Sequence, residues 1–451
     1  MLVCCRNESR ILITVVILEN CNIFVTGFLT LFMKLRIFSL LAAMAALFAP
    51  SLFLSGEEPI ALRRAGVEHI EGPTALWWEG AGRFEEPIAL RQAGVERPDE
   101  SASLSQIPVK YSEEAELVSV VCHLAGIGGF DFDAEDGVLP DYLADVDNYF
   151  AAFKNHKAVV YARQKLYRNG FGWDMPVAFA LRLRLEDGHI AYLDNLEQDF
   201  DNYHTRLKAS HEKKFISLLE AFYRDSAFGE FFENHRGVYR ECEEAMRKLV
   251  DKIDLAWYDS FFGPIEDVEF RVHPGLLNGP GNFAVQQRFN DGKELVNALM
   301  GCCKRDEEGK IFYGEVYTLP VLIHEFNHSY CNPLNEAIWS EIEARATAFF
   351  NENADFYDSI AYGSPILVMN EMFVEAAVFR YLQTHPVELA GTRFRDMDEL
   401  IERLILSDEK QKKFFLVRTM LQALAGREED FGRYATMRDF MPVYAAAVNA
   451  Y

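Results

Sequence analysis

Leu322-Ile323-His324-Glu325-Phe326-Asn327-His328-Ser329-Tyr330 is the stretch on which the reading of this chain turns. Its two histidines are four residues apart, and an α-helix stacks residues so spaced on one face, one turn above the other. Two imidazoles in that position can share one metal ion. Zn2+ takes His nitrogens at roughly 2.0–2.1 Å and keeps one position open for water when it is catalytic. Glu325 follows the first histidine directly, where a carboxylate can take the proton from that water. A plain core helix is the competing reading. It would bury two unpartnered imidazoles among Leu322, Ile323 and Phe326, which is costly. We therefore expect a helix with His324 and His328 as Zn2+ ligands and Glu325 as general base. Thr318 and Pro320 suit its start, and Asn332-Pro333 its end.

Working outward, residues 268–272, 282–289, 294–300 and 310–316 are short, rich in β-prone side chains and separated by Pro, Gly and Asn. They read as strands of a small sheet. Asn278-Gly279-Pro280-Gly281-Asn282 is a strong turn signal. Beyond the metal motif, helices are expected at 335–350, 366–383, 408–424 and 437–450. Upstream, 112–263 reads mainly as helix. Pro140-Asp141 opens a segment with Tyr142, Val146, Tyr149, Phe150 and Phe153 at helical steps, 177–185 continues the pattern, and Phe215, Leu218, Leu219 and Phe222 repeat it. His123, His156, His189, His204, His211 and His235 show no metal spacing and read as surface or satisfied core residues. Gly126-Ile127-Gly128-Gly129 lacks the flanks of a phosphate loop and reads as a turn. The expected fold class is α+β and predominantly helical. A helical region, 109–263, precedes a region, 264–451, built on a small sheet and the HExxH helix.

The chain has 451 residues, half of them hydrophobic and 13% aromatic, enough for a sizeable core. A net charge of −24 without a basic stripe argues against nucleic acid as a partner. Met33-Lys34-Leu35-Arg36 followed by apolar residues 37–54 has the layout of a secretory signal peptide, assigned to 33–56. Residues 1–32 then read as a mis-annotated extension, with translation starting at Met33. Neither apolar N-terminal stretch is long and unbroken enough for a stable membrane span. Glu57-Glu58-Pro59-Ile60-Ala61-Leu62 recurs as Glu85-Glu86-Pro87-Ile88-Ala89-Leu90, with a degenerate copy at 71–76. This 14-residue repeat is shorter than a solenoid unit, so 57–108 reads as a duplicated linker. Five cysteines follow the N-terminal segments: Cys122, Cys242, Cys302, Cys303 and Cys331. An odd number without a regular framework argues against a disulfide-built fold.

A catalytic zinc site needs a third protein ligand. The metzincin spacing fails, because Cys331 and Leu334 stand where Gly and His are required. The closer Glu spacings of aminopeptidases and of thermolysin fall on Thr347 and Ala348. Asn370-Glu371-Met372-Phe373-Val374-Glu375, however, resembles the thermolysin-type pattern Asn-Glu-x-x-x-Asp. That resemblance implies Glu371 as the metal ligand and Glu375 as the acid that supports a zinc-bound His. An acid pair four residues apart on one helix face suits both roles. The 42 residues separating His328 from Glu371 depart from the thermolysin pattern, and Glu341, Glu343 and Glu375 remain alternative ligands. Ile366-Leu367-Val368-Met369 and Ala376-Ala377-Val378-Phe379 flank the acids and are too apolar for a solvated helix face.

Together, HEFNHSY, Asn332-Pro333 and Asn370-Glu371 resemble the gluzincin branch of zinc metallopeptidases. Residues 112–385 more closely resemble a family of secreted bacterial proteins carried as a domain of unknown function, in which a helical part precedes the HExxH region. The resemblance implies a zincin-like core, a secreted or periplasmic bacterial protein, and zinc-dependent cleavage of a peptide or protein substrate. Two alternatives use the same residues: a catalytically inactive zincin-like binding protein, and a zinc hydrolase acting on a non-peptide amide.

Overall fold

The structure is a computed structural model. It describes the backbone at 2–7 and 10–15, and with side chains residues 107–133, 138–200, 203–301, 303–360, 362–429 and 431–451. The chain divides into two compact units, 1–68 and 69–451. In the first, β1 (Leu2–Asn7) pairs antiparallel with β2 (Arg10–Val15). The signal-like segment 33–56 and, up to residue 106, the repeats of 57–108 lie outside the described residues.

The second unit opens with α1 (Glu113–Ala125), α2 (Pro140–Tyr149), α3 (Lys157–Tyr161) and α4 (Asp174–Ala180). The Ser112 side chain caps α1 by accepting from the Ala115 N–H, and Glu113, Glu114 and Glu116 crowd its first turn, where the helix dipole favours negative charge. Gly126, at φ 65, ends it with its N–H on the last carbonyls, so the expected turn at 126–129 is a C-cap. A hairpin follows, β3 (Leu183–Glu186) with β4 (His189–Tyr192). The expectation of continuous helix over 177–185 is corrected here. Asp187 and Gly188 adopt φ 50 and 78, the positive-φ pair of a tight hairpin, and the chain reverses instead.

Helices α5 (Tyr203–Arg206), α6 (Ala209–Asp225), α7 (Phe228–Asn234), α8 (Arg236–Val250) and α9 (Leu255–Phe261) complete the helical region. Their inner faces meet in a cluster of phenylalanines, with Phe150 within 4.8–6.1 Å of Phe222, Phe228 and Phe231. The histidines of this region serve local roles: His156 Nδ1 caps α3 by accepting from the Ala158 N–H, and His235 binds the Phe231 carbonyl and Asp145.

The sheet comprises β5 (Val268–Pro274), β6 (Phe283–Arg288) and β7 (Glu294–Met300) in the order β5-β7-β6, with β5 parallel and β6 antiparallel to the central strand. A small ribbon of β8 (Lys304–Arg305) and β9 (Ile311–Phe312) follows. The expected strand at 310–316 is therefore only two residues long, because the next helix already starts at Glu315.

That helix, α10 (Glu315–Ala337), carries the HExxH sequence. Pro320 lies inside it rather than at its start, and Pro333 does not end it. Each proline removes one backbone hydrogen bond. Burial of Tyr330, Cys331, Leu334 and Asn335 around Pro333 carries the helix on to Ala337. Phe270 of the sheet packs on its Phe326, ring centroids 4.5 Å apart. Then come α11 (Trp339–Asn351), α12 (Ala354–Ser359), α13 (Pro365–Thr384), α14 (Met397–Gln411), α15 (Val417–Glu429) and α16 (Met437–Ala450). Instead of one helix at 408–424 there are two, since α14 stops at Gln411 and Lys413 takes a positive φ of 59. Helix α13 is apolar on nearly every side and is buried accordingly, from Val368 to Leu382. The chain is thus a predominantly helical α+β protein with small sheets. Among the described residues no helix is long and apolar enough to cross a membrane. Cys122, Cys242, Cys303 and Cys331 are buried free thiols.

Candidate metal centre

Helices α10 and α13 run antiparallel, as their polar cross-links show. The Asn335 side chain donates to Asn370 Oδ1 at 3.1 Å, and Asn327 donates to the Val374 carbonyl at 3.4 Å. Asn327, wholly buried in the middle of the motif, also accepts the Tyr258 hydroxyl at 2.9 Å. Amides so buried hold the helix register, because any slip strands a donor or acceptor away from water. The register brings His324 and His328 of α10 opposite Glu371 of α13.

Their donor atoms converge. His324 Nε2 lies 3.2 Å from His328 Nε2 and 3.5 Å from Glu371 Oε2, and His328 Nε2 lies 3.8 Å from Glu371 Oε1. Ligands held at roughly 2.1 Å around a tetrahedral ion stand about 3.4 Å apart, so the spacing fits such an ion. Among the described residues this is the one cluster of three or more His, Cys, Asp or Glu side chains whose donor atoms come close enough to share an ion. Glu341 and Glu343 are exposed on α11 and outside it.

The outer partners fix the tautomers. Glu375 Oε1 lies 3.4 Å from His324 Nδ1, an ion-pair distance without well-aligned hydrogen-bond geometry. His328 Nδ1 lies 3.3 Å from Asn332 Oδ1. With an acceptor behind each Nδ1, both Nε2 atoms are left to face each other as lone pairs. At 3.2 Å they repel unless a proton or a cation stands between them, and the donor set thereby fits a divalent ion.

Without the ion, a proton fills that role. Burial alone would depress His324, but the charges of Glu375, Glu371 and Glu325 lift it to about 9. Burial keeps His328 below its ordinary value. Glu325 is pushed up to about 7, by burial first, against the pull of His324 and with added repulsion from Glu371 and Glu375. Its carboxylate has no ion pair or hydrogen bond among the described residues, which leaves it available to a water. The centre is more accessible at His328 and Glu371 than at His324. His328 and Glu371 retain 26% and 15% side-chain exposure, while His324 has 6%.

Sequence reasoning missed what stands behind Glu375. Lys412 Nζ donates to Glu375 Oε1 at 2.7 Å and reaches Asp408 Oδ1 at 3.1 Å, with all three side chains buried. Burial would raise Glu375, but Lys412 and His324 hold it at about 2, so it stays an acceptor for His324. Burial and the neighbouring Glu375 lift Asp408 to about 7 despite Lys412. Tyr362, just before α13, was also missed. Its hydroxyl is buried without an aligned hydrogen bond, and burial together with the Glu371 and Glu375 charges raises it well above its ordinary value. Three further polar side chains are committed elsewhere. Tyr381 accepts the Asp254 N–H, His385 sits 3.3 Å from Asp254 Oδ2, and His273 belongs to the far face of the sheet.

The family model described as a domain of unknown function, DUF4932, matches residues 107–446, and the chain belongs to that family. No curated protein and no solved structure matches it.

Proposed function

We propose that this protein is a zinc-dependent metallopeptidase, with a gluzincin-like ligand set on a zincin-like core and action outside the cytoplasm. One observation carries the reading: three donor atoms from two helices converge at tetrahedral spacing, with an uncommitted buried carboxylate next to the first of them in sequence. His324, His328 and Glu371 would hold the ion. Its chemistry when bound is that of a Lewis acid, polarising a carbonyl and making a water more acidic.

The remaining steps belong to the chain's own residues. Glu325, buried and without an ion pair or hydrogen bond among the described residues, is placed to take a proton from that water and to return it to the leaving amine. Glu375 and Asn332 orient the two imidazoles. Hydrolysis of a non-peptide amide would use the same groups and differ only in what enters at His328 and Glu371.

The test is metal analysis of purified protein joined to cleavage of a diverse peptide library. Near one equivalent of zinc and cleavage abolished in Glu325→Gln are expected. Zinc well below one equivalent, or cleavage unchanged in Glu325→Gln, would overturn the proposal. Full zinc without cleavage of any peptide would move the reading to a non-peptide amide or to a binding protein.

A further inference from the structure

The sheet under α10 has a second face of different character. Successive strand residues point to opposite sides. With Phe270 turned toward Phe326, Arg271 and His273 face away from α10. There they line a cavity of about 630 Å³ together with Asn297 and Gln287 of the neighbouring strands. None of the proposed metal ligands lines it. His273, Asn297 and Gln287 are all buried, on a sheet face that packing alone would fill with apolar side chains.

The three form a chain. His273 Nδ1 lies 2.7 Å from the Lys110 carbonyl, its Nε2 lies 3.0 Å from the Asn297 carboxamide, and that carboxamide lies 3.1 Å from the one on Gln287. The remaining atom of the Gln287 carboxamide is buried and has no partner. A carbonyl only accepts, so His273 Nδ1 carries a proton. Burial holds His273 below its ordinary value. Asn297 donates its NH2 to Gln287 Oε1. The unmatched end of the chain is the Gln287 NH2, which calls for an oxygen acceptor.

The rim adds charge. Among the described residues, the Lys110 ammonium and the Arg240 guanidinium line the cavity and have no ion pair or hydrogen bond. Three carboxylates lie there too, but each already accepts: Glu243 from the Tyr111 N–H, Glu114 from the Leu185 N–H and Glu113 from the Tyr223 hydroxyl. Leu183, Leu185 and Leu295 supply an apolar wall. In a chain of net charge −24, two uncommitted cations over a cavity of ligand size favour an anionic guest.

We infer that this cavity binds the C-terminal end of a short peptide, with the free carboxylate at Lys110 and Arg240, an apolar side chain along the leucine wall, and a peptide carbonyl on the Gln287 NH2. The site is independent of the metal centre and of the activity proposed for it.

The test is calorimetric titration of acetyl-Ala-Leu into the full chain carrying Glu325→Gln, so that cleavage cannot consume the probe. Saturable binding is expected, about tenfold or more weaker for the same dipeptide as its C-terminal amide. A similar loss is expected for Arg240→Ala, an exposed position whose change leaves the fold intact, and for Gln287→Leu in protein whose unfolding midpoint is kept. No saturable binding at millimolar concentration, equal binding of the amide, or binding indifferent to Arg240→Ala would overturn the inference. Zinc content measured on the same samples reports on the metal centre separately.

Discussion

Lys412 Nζ stands 2.7 Å from Glu375 Oε1, with both side chains withdrawn from solvent. Removing one member of a buried ion pair strands the other, at a cost of roughly 3–5 kcal/mol. Lys412→Met should therefore lower unfolding free energy by about that amount in urea titrations. It should also weaken zinc binding by roughly 10–100-fold, because Glu375 would no longer stay charged behind His324. Adding Glu375→Gln should restore part of the stability and none of the affinity. Unchanged zinc affinity in Lys412→Met would show that Glu375 does not orient the ring.

Lys412 also marks where the sequence stopped being legible. The HExxH helix was readable from the spacing of its histidines, the strand Glu294–Met300 from its β-prone residues, and the helix Met437–Ala450 from its apolar periodicity. The same periodicity ran one helix through 408–424, although the chain breaks at Lys413 so that Lys412 can reach a carboxylate 37 residues away. No local pattern encodes that contact. By contrast, the break after Ala180 was signalled by Asp187-Gly188, a hairpin pair that the apolar run 177–185 obscured. Prolines misled at 333 because burial along α10 outweighed the lost hydrogen bond. Of the candidate site, His324, Glu325 and His328 were legible from spacing, and Glu371 and Glu375 from a family resemblance. Lys412, Asp408 and Tyr362 reach the site only through the tertiary fold, whereas Asn332, one helical turn beyond His328, stood at a spacing that could have shown it.

Glu371→Gln should separate the alternative third ligands. The amide keeps the shape but loses the charge, so zinc affinity in chelator competition should fall by more than the roughly 10–100-fold that an outer partner is worth. Glu341→Gln and Glu343→Gln, exposed on α11, should leave it unchanged. An unchanged affinity in Glu371→Gln would remove this residue from the ligand set.

The metal-free protein should lose stability as pH rises from 7 to 9. His324 binds its proton more tightly folded, at about 9, than at its ordinary 6.5. Its contribution is therefore complete below pH 6.5 and is lost as pH climbs through 9, about 3 kcal/mol in all. Glu325, raised to about 7, acts in the same direction but at lower pH, and the depressed His328 acts only below 6.5. With zinc bound the ring holds no proton at that nitrogen, and the slope should vanish. Unfolding curves with and without chelator across this window check it. A flat chelated profile would mean that His324 is not the protonated ring.

Asn327 should be structural rather than chemical. Asn327→Leu leaves the buried Tyr258 hydroxyl without its acceptor, at about 1–3 kcal/mol. Tyr258→Phe should then recover most of that loss, and a double-mutant cycle in unfolding free energy should show the coupling. Independent, additive losses would place the role of Asn327 in its Val374 contact instead.

Tyr362 offers the opposite pattern. Its buried hydroxyl has no aligned partner, so Tyr362→Phe should leave stability unchanged or raise it by about 1 kcal/mol. The same hydroxyl feels the Glu371 charge, and if a substrate carbonyl enters beside that carboxylate, its oxygen would meet this donor as it takes up charge. Losing one donor to such an oxygen typically costs roughly 100-fold in kcat. If Tyr362 makes that contact only as the charge develops, kcat should drop while KM stays close to wild type, since ground-state binding would not use it. A fall in stability with kcat intact would assign Tyr362 to packing against Phe414, whose ring lies 5.7 Å away, and would leave the developing charge to the bound ion alone.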